Sequence, residues 1–199
     1  MRFHKFISVI LHPIVIPTIG ILLFFTLTRD RIPTQVQYLL LSIIFFSTYI
    51  VPIICLLLLK RFKLIESFQV KSITERKVPL FIMLIVFYIL GSYLMRIPIF
   101  KALGILFHGT NMALISVYVL FFFKIKTSLH IISMSSLFGF IILYCAKHEL
   151  NMLPIAIPLL LLTGLLGSSR LYLKAHTPRE VYVAFFLGIS SQYIAFMIL

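Results

Sequence analysis

The stretch LHIISMSSLFGFIILYCA, residues 129–146, contains no charged side chain. A strand with one wet face alternates apolar and polar residues, but here large apolar side chains occupy neighbouring positions such as Ile131 and Ile132 or Phe140, Ile141 and Ile142. At 1.5 Å per residue the stretch has the length an α-helix needs to cross the roughly 30 Å hydrocarbon core of a bilayer. Six more runs of this kind flank it, at 6–27, 36–59, 80–95, 103–123, 150–167 and 181–199. The run at 80–95 is the shortest, so the expectation is six to seven spans. Because the runs are continuous, the pattern predicts helices and not barrel strands. The chain is expected to be one integral membrane domain over residues 1–199, an all-α polytopic transmembrane helix bundle, with its N-terminal run kept as the first span.

Composition agrees. Of 199 residues, 61% are hydrophobic, and the mean hydropathy is +1.13. A soluble domain of this length could not hide so much apolar surface, so lipid is the main solvent and membrane lipids are the general partner. Eighteen Lys and Arg face five Asp and Glu, a net charge of +13. In a soluble protein that excess would point to nucleic acid. Here the cations gather in short connections between apolar runs, which points to headgroups or a phosphorylated ligand and makes nucleic acid an unexpected partner. Cys55 and Cys145 lie inside apolar runs and read as packing residues.

Seven crossings assign every connection to one of two membrane faces. The N-terminus and the connections at 60–79, 124–130 and 167–180 share a face, and 13 of the 18 cations fall there. The other face keeps Arg29, Arg31, Arg96, Lys101 and Lys147. By the positive-inside rule the richer face is cytoplasmic, unless some of its cations serve to hold phosphate.

That richer face carries the polar stretch SSRLYLKAHTPREV, residues 168–181. Ser169 and Arg170 are followed after five residues by His176 and after three more by Glu180. The spacing resembles the third signature of the type 2 phosphatidic acid phosphatase (PAP2) superfamily, which has Asp at the last position. The second signature, Pro-Ser-Gly-His, is approximated by Ser128, Leu129 and His130 two runs earlier, without the Pro and the Gly. The first, Lys, six residues, Arg-Pro, is approximated in order but not in spacing by Lys71, Arg76 and Pro79. The resemblance covers residues 124–188 well and the rest of the chain loosely, and it implies a PAP2-like core in a multi-pass cell (inner) membrane protein. Bacterial relatives in that family often carry an outward-facing site, against the charge count here.

The resemblance also implies a chemistry. His176 is the expected nucleophile, forming a phosphohistidine, with Glu180 accepting a hydrogen bond from its other ring nitrogen. His130 is the expected proton donor to the leaving group. Arg170 and Ser169, with Ser128, Lys71 and Arg76, are the expected phosphate ligands. Five carboxylates are too few for a carboxylate-held two-metal site, so no metal and no cofactor are expected. The substrate implied is a lipid phosphate or pyrophosphate. The altered first and second signatures leave an alternative, a catalytically degenerate protein that binds or moves a lipid phosphate or serves as a subunit of a membrane complex. A transporter or channel without phosphate chemistry is a third reading, for which midplane polar residues beyond 108–111 are scarce.

Plainer readings stand beside these. Thr177, Pro178 and Glu180 form a capping box that would start the last helix. His130 at a membrane boundary would ordinarily be an interfacial polar residue, as would His4 and His148. His12, next to Pro13, reads as a packing residue that could line a pocket.

Overall fold

Backbone N–H and C=O groups in hydrocarbon have no water to bond, so the chain closes them into helices. The computed structural model describes residues 2–28, 32–68 and 72–199. The helices are α1 (Arg2–Ile10), α2 (Ile16–Leu27), α3 (Thr34–Phe45), α4 (Val51–Arg61), α5 (Ile73–Met95), α6 (Lys101–Phe122), α7 (Leu129–Lys147), α8 (Leu153–Tyr172) and α9 (Pro178–Ile198). One π turn, Phe46–Ile50, joins α3 and α4 into a continuous 28-residue rod. That rod, α5, α6 with the 3-10 turn Pro98–Phe100, α7, α8 and α9 are six helices long and apolar enough to cross a membrane. Among the described residues there is no strand, and the chain is an all-α polytopic bundle.

The prolines decide where this simple plan bends. The run 6–27, expected as one span, is two helices with a turn over residues 11–15 between them. A proline disfavours helical backbone at the residue before it, so Pro13 stops α1 short of His12. The twelve residues of α2 then cover only roughly 18 Å, and α1 packs instead against α8. Pro52 acts differently. It lacks the N–H that would bond the Thr48 carbonyl and its ring crowds that group, and just before it the helix loosens so that Val51 N–H reaches Phe46 O. The Thr48 hydroxyl donates to Ile44 O at 2.8 Å within the same turn. Pro79 and Pro158 sit inside α5 and α8 without ending them.

Helix α7, which contains the stretch 129–146, is the centre of the bundle. Two thirds of its most apolar window, 67%, is buried, against 28% for α5 and α9. It packs on α9, α8, α6 and α2. The approach of α9 depends on Gly188, where an added Cβ would lie 2.9 Å from Ile132 O and 2.9 Å from Ser136 N, both backbone atoms, and against the Ser135 side chain. Lipid gives no hydrophobic drive between helices, so such close backbone contact carries much of the packing energy.

Gly188→Ala is therefore expected to push α9 off α7 and destabilise the protein by about 1–3 kcal/mol, the usual cost of overpacking. Gly164→Ala is the control, because an added Cβ there meets nothing within 4 Å. Thermal unfolding in detergent should show a lower midpoint for the first and none for the second.

Candidate functional site

Helix α1 with the turn after it, the start of α5, the α6–α7 connection and the α8–α9 turn meet at one end of the bundle. There α8 stops in a tight turn in which Lys174 takes a left-handed backbone, φ 52°, with Ala175 N–H closing on Arg170 O at 3.1 Å. The turn closes α8 and leads the chain to His176, two residues before α9 begins. His176 is 8% exposed, and its Nδ1 lies 2.7 Å from Glu180 Oε2. The carboxylate also accepts from Thr177 N–H at 3.3 Å while Thr177 Oγ1 accepts from Glu180 N–H at 3.4 Å. One glutamate thus caps α9 and grips the imidazole. His176 itself is not helical, so the contact arises from the capping box reaching backwards and not from a shared helical face. Glu reaches this position although the resembled signature has Asp.

Because a carboxylate only accepts, the bond places the His176 proton on Nδ1 and leaves the lone pair on Nε2, to which nothing among the described residues is bonded. Burial pushes the imidazole pKa down to about 4, against the raising effect of the Glu180 hydrogen bond, and Arg170, Arg76 and Lys126 add to the depression. The ring is neutral at pH 7. Lys126, in the connection before α7, is also held below the ordinary lysine range, by desolvation first and then by Arg76.

His130 stands in the first turn of α7, with Nε2 3.2 Å from Ser8 O; a carbonyl accepts, so the proton is on Nε2. The His12 ring meets it edge-on with centroids 4.9 Å apart. Arg170 Nη1 donates to Ser8 Oγ at 2.7 Å, and its buried Nε has no partner among the described residues. Arg76, in the first turn of α5, donates from Nη1 to Thr127 O at 3.3 Å. Ser169 is fully buried and bonded to His4 Nδ1 at 3.1 Å, and the His4 ring stacks on Tyr172 at 4.1 Å. Ser128 is the N-cap residue of α7 but makes no side-chain cap. Its Oγ and Thr127 Oγ1 are fully buried and unpartnered among the described residues.

A cavity of about 230 Å³ opens beneath these groups. His12, Arg76, His130, Arg170 and His176 ring one part of its wall, while Leu80, Met83, Phe87, Leu106, Leu114 and Leu137 line its apolar remainder. Along α5 the lining runs from Arg76 to Phe87, roughly 16 Å of helix. His176 also borders a shallow pocket with Lys126, Lys174 and Glu180, so this residue adjoins both spaces. A cavity with cations at one end and an apolar body suits an amphiphile with an anionic head.

Of the residues expected at the site, the structure brings His176, Glu180, His130, Arg170 and Arg76 together at this one end. Ser169 and Ser128 lie beside the cavity but do not line it, and Ser169 faces α1. Lys71 lies outside the described residues. Sequence reasoning missed Ser8 and took His4 as interfacial; it read His12 as a packing residue that could line a pocket, and His12 does line the cavity. The one signal for Ser8 was Pro13, whose effect on the helix end was legible although its partner was not. Among the described residues no three His, Cys, Asp or Glu are grouped so as to hold a metal ion. Compared with known proteins, the sequence matches no family model, and no curated protein or solved structure is significantly similar to it.

The buried neutral imidazole makes the site acid-sensitive. With a folded pKa near 4 against about 6.5 in an unfolded chain, the unfolded state binds more protons between those values. His176 should therefore contribute no acid sensitivity above about pH 6.5, and stability should fall as the pH drops through about 4. Titrating the His176 ring by NMR should give a midpoint near 4, and His176→Asn should flatten the fall in unfolding midpoint below pH 6.5.

Proposed function

We propose that this chain is an integral membrane phosphohydrolase that cleaves a lipid phosphate or pyrophosphate through a phosphohistidine on His176. The observation that carries the reading is the state of His176. Its Nδ1 is bonded to Glu180 at 2.7 Å, its Nε2 lone pair is uncommitted, and Arg170, Arg76 and Lys126 surround it. A nucleophile held in one tautomer by a carboxylate, beside cations and at the wall of an apolar cavity, is what phosphoryl transfer from an amphiphile requires. The likeness of Ser169, Arg170 and His176 to the PAP2 third signature supports the same reading.

In the first step Nε2 attacks phosphorus and the P–O bond to the lipid breaks. The leaving oxygen takes a proton that His130, neutral in the free site, relays from the bound phosphate group, and Glu180 stabilises the positive charge that develops on His176. The guanidinium of Arg170, with its unpartnered Nε–H, binds the phosphoryl oxygens, and Arg76 and Lys126 add charge as it accumulates. In the second step water attacks the phosphorus of the phosphohistidine from the side of the shallow pocket. His130 takes the water's proton, the P–N bond breaks and inorganic phosphate leaves. The balance is lipid phosphate plus water to lipid alcohol plus phosphate. The tail stays in the apolar cavity throughout, so the substrate need not leave the bilayer. The protein works in a cell membrane, with its site at the cation-rich face.

Purified protein in detergent should release phosphate from diacylglycerol or isoprenoid phosphates with chelator present, and His176→Ala should lower the rate at least about 1000-fold, as removal of a covalent nucleophile does. Rapid quenching should trap phosphate on residue 176. An inactive wild type over both substrate types would leave the alternative, a protein that binds lipid phosphate without cleaving it. Glu180→Gln keeps the shape but loses the carboxylate that fixes the tautomer, and kcat should fall about 100-fold or more with KM little changed. In the wild type the acid limb of kcat/KM should lie near the His176 value of about 4, because neutral imidazole is the reactive form.

A further inference from the structure

Ser8 touches two of the groups just described, and neither contact follows from any motif. Its hydroxyl accepts from Arg170 Nη1 at 2.7 Å and its carbonyl accepts from His130 Nε2 at 3.2 Å. The residue is 7% exposed. The carbonyl is free for this purpose because of Pro13. In an uninterrupted helix Ser8 O would take the N–H of His12, four residues on. With His12 held out of helical backbone by the proline, the last bond of α1 is Leu11 N–H to Ile7 O at 3.0 Å, and the next carbonyl is left for a side chain. His12 itself makes no bond to this carbonyl among the described residues; its Nδ1 accepts from Ile14 N–H at 3.4 Å.

Both contacts orient their partners and leave the working atoms uncovered. Pinning Nη1 of Arg170 leaves the Nε–H edge of the fork unpartnered, and that edge is one a phosphate can take. Pinning Nε2–H of His130 to a carbonyl leaves Nδ1 as the atom that gains and loses the proton, and the carbonyl stabilises the imidazolium when it forms. The arrangement repeats on His130, with a backbone oxygen and the opposite nitrogen, what Glu180 does for His176. His4 anchors the same helix to the neighbouring Ser169.

We infer that Ser8 is a positioning residue for phosphoryl transfer: its hydroxyl sets the Arg170 clamp and its Pro13-released carbonyl sets the tautomer and aim of His130. The inference rests on the phosphohydrolase reading. It assigns α1 to the site as an orienting helix, although α1 contributes no group that touches the substrate.

Two variants separate the two arms. Ser8→Ala removes only the hydroxyl, so KM for a lipid phosphate should rise about tenfold, the worth of one charge-assisted hydrogen bond, with kcat within about twofold. Ser8→Thr should restore KM. Pro13→Ala lets His12 N–H take the Ser8 carbonyl back, so the ¹⁵N signals of the His130 ring should lose the Nε2–H pattern and kcat should fall about tenfold at unchanged KM. Orthovanadate affinity, measured by calorimetry on the same full-length proteins in detergent, reads the clamp without turnover and should also weaken about tenfold in Ser8→Ala. Unchanged KM and vanadate affinity in Ser8→Ala overturn the inference, as does a rise in kcat, which would make Ser8 a plug. An unchanged His130 spectrum in Pro13→Ala overturns it too. A wild type that binds vanadate with the Ser8 dependence but turns over no lipid phosphate refutes the proposed function, and with it the catalytic role of Ser8, and leaves only its setting of the Arg170 anion clamp.

Discussion

The structure depends on holding positive charge at a lipid boundary with hardly any carboxylate to answer it. Arg170 meets the Ser8 hydroxyl and, among the described residues, no carboxylate. Arg76 reaches the Thr127 carbonyl. For Arg170, half-buried and without a carboxylate partner among the described residues, a neutral oxygen acceptor meets only part of the desolvation cost. Among the described residues the Nε of Arg170, a residue of the cavity wall, and the hydroxyls of Thr127 and Ser128, buried outside it, have no partner. They amount to donors in search of an acceptor. An anionic headgroup is the chemical complement of such a set, and the apolar body of the cavity is the complement of its tail.

Prolines convert a plain bundle into one that can carry this centre. Pro13 ends α1 and exposes a carbonyl, Pro52 follows a π turn in a long rod, and Pro178 opens α9 at the position where a missing N–H costs nothing. Glycine does the complementary work, since Gly188 brings α9 against the backbone of α7. Because His130 lies in the first turn of α7 and α9 begins just past His176, the close packing of these two helices also sets the separation of the two imidazoles. A mutation deep in the bundle at Gly188 would thus be felt at the site.

Some of this was legible in the residues alone. Continuous apolar runs determined helices and their approximate ends, because lipid admits few alternatives. The spacing Ser169, Arg170, His176, Glu180 marked the polar turn, and the parity of the runs placed the N-terminus and three connections on one face. The capping box Thr177 to Glu180 was equally plain, and its rivalry with a role beside His176 dissolved, since one carboxylate does both.

Tertiary structure decided the rest. The break of the first run at residues 11–15 was latent in Pro13, yet only packing determined that α1 would fold against α8 instead of continuing across the bilayer. The contact of Ser8 with Arg170 spans 162 positions of chain and that with His130 spans 122. No local propensity or periodicity encodes such pairs, because a serine hydroxyl or a freed carbonyl will take whichever donor packing delivers. Local sequence determined which groups were available, and the docking of helices determined which of them met.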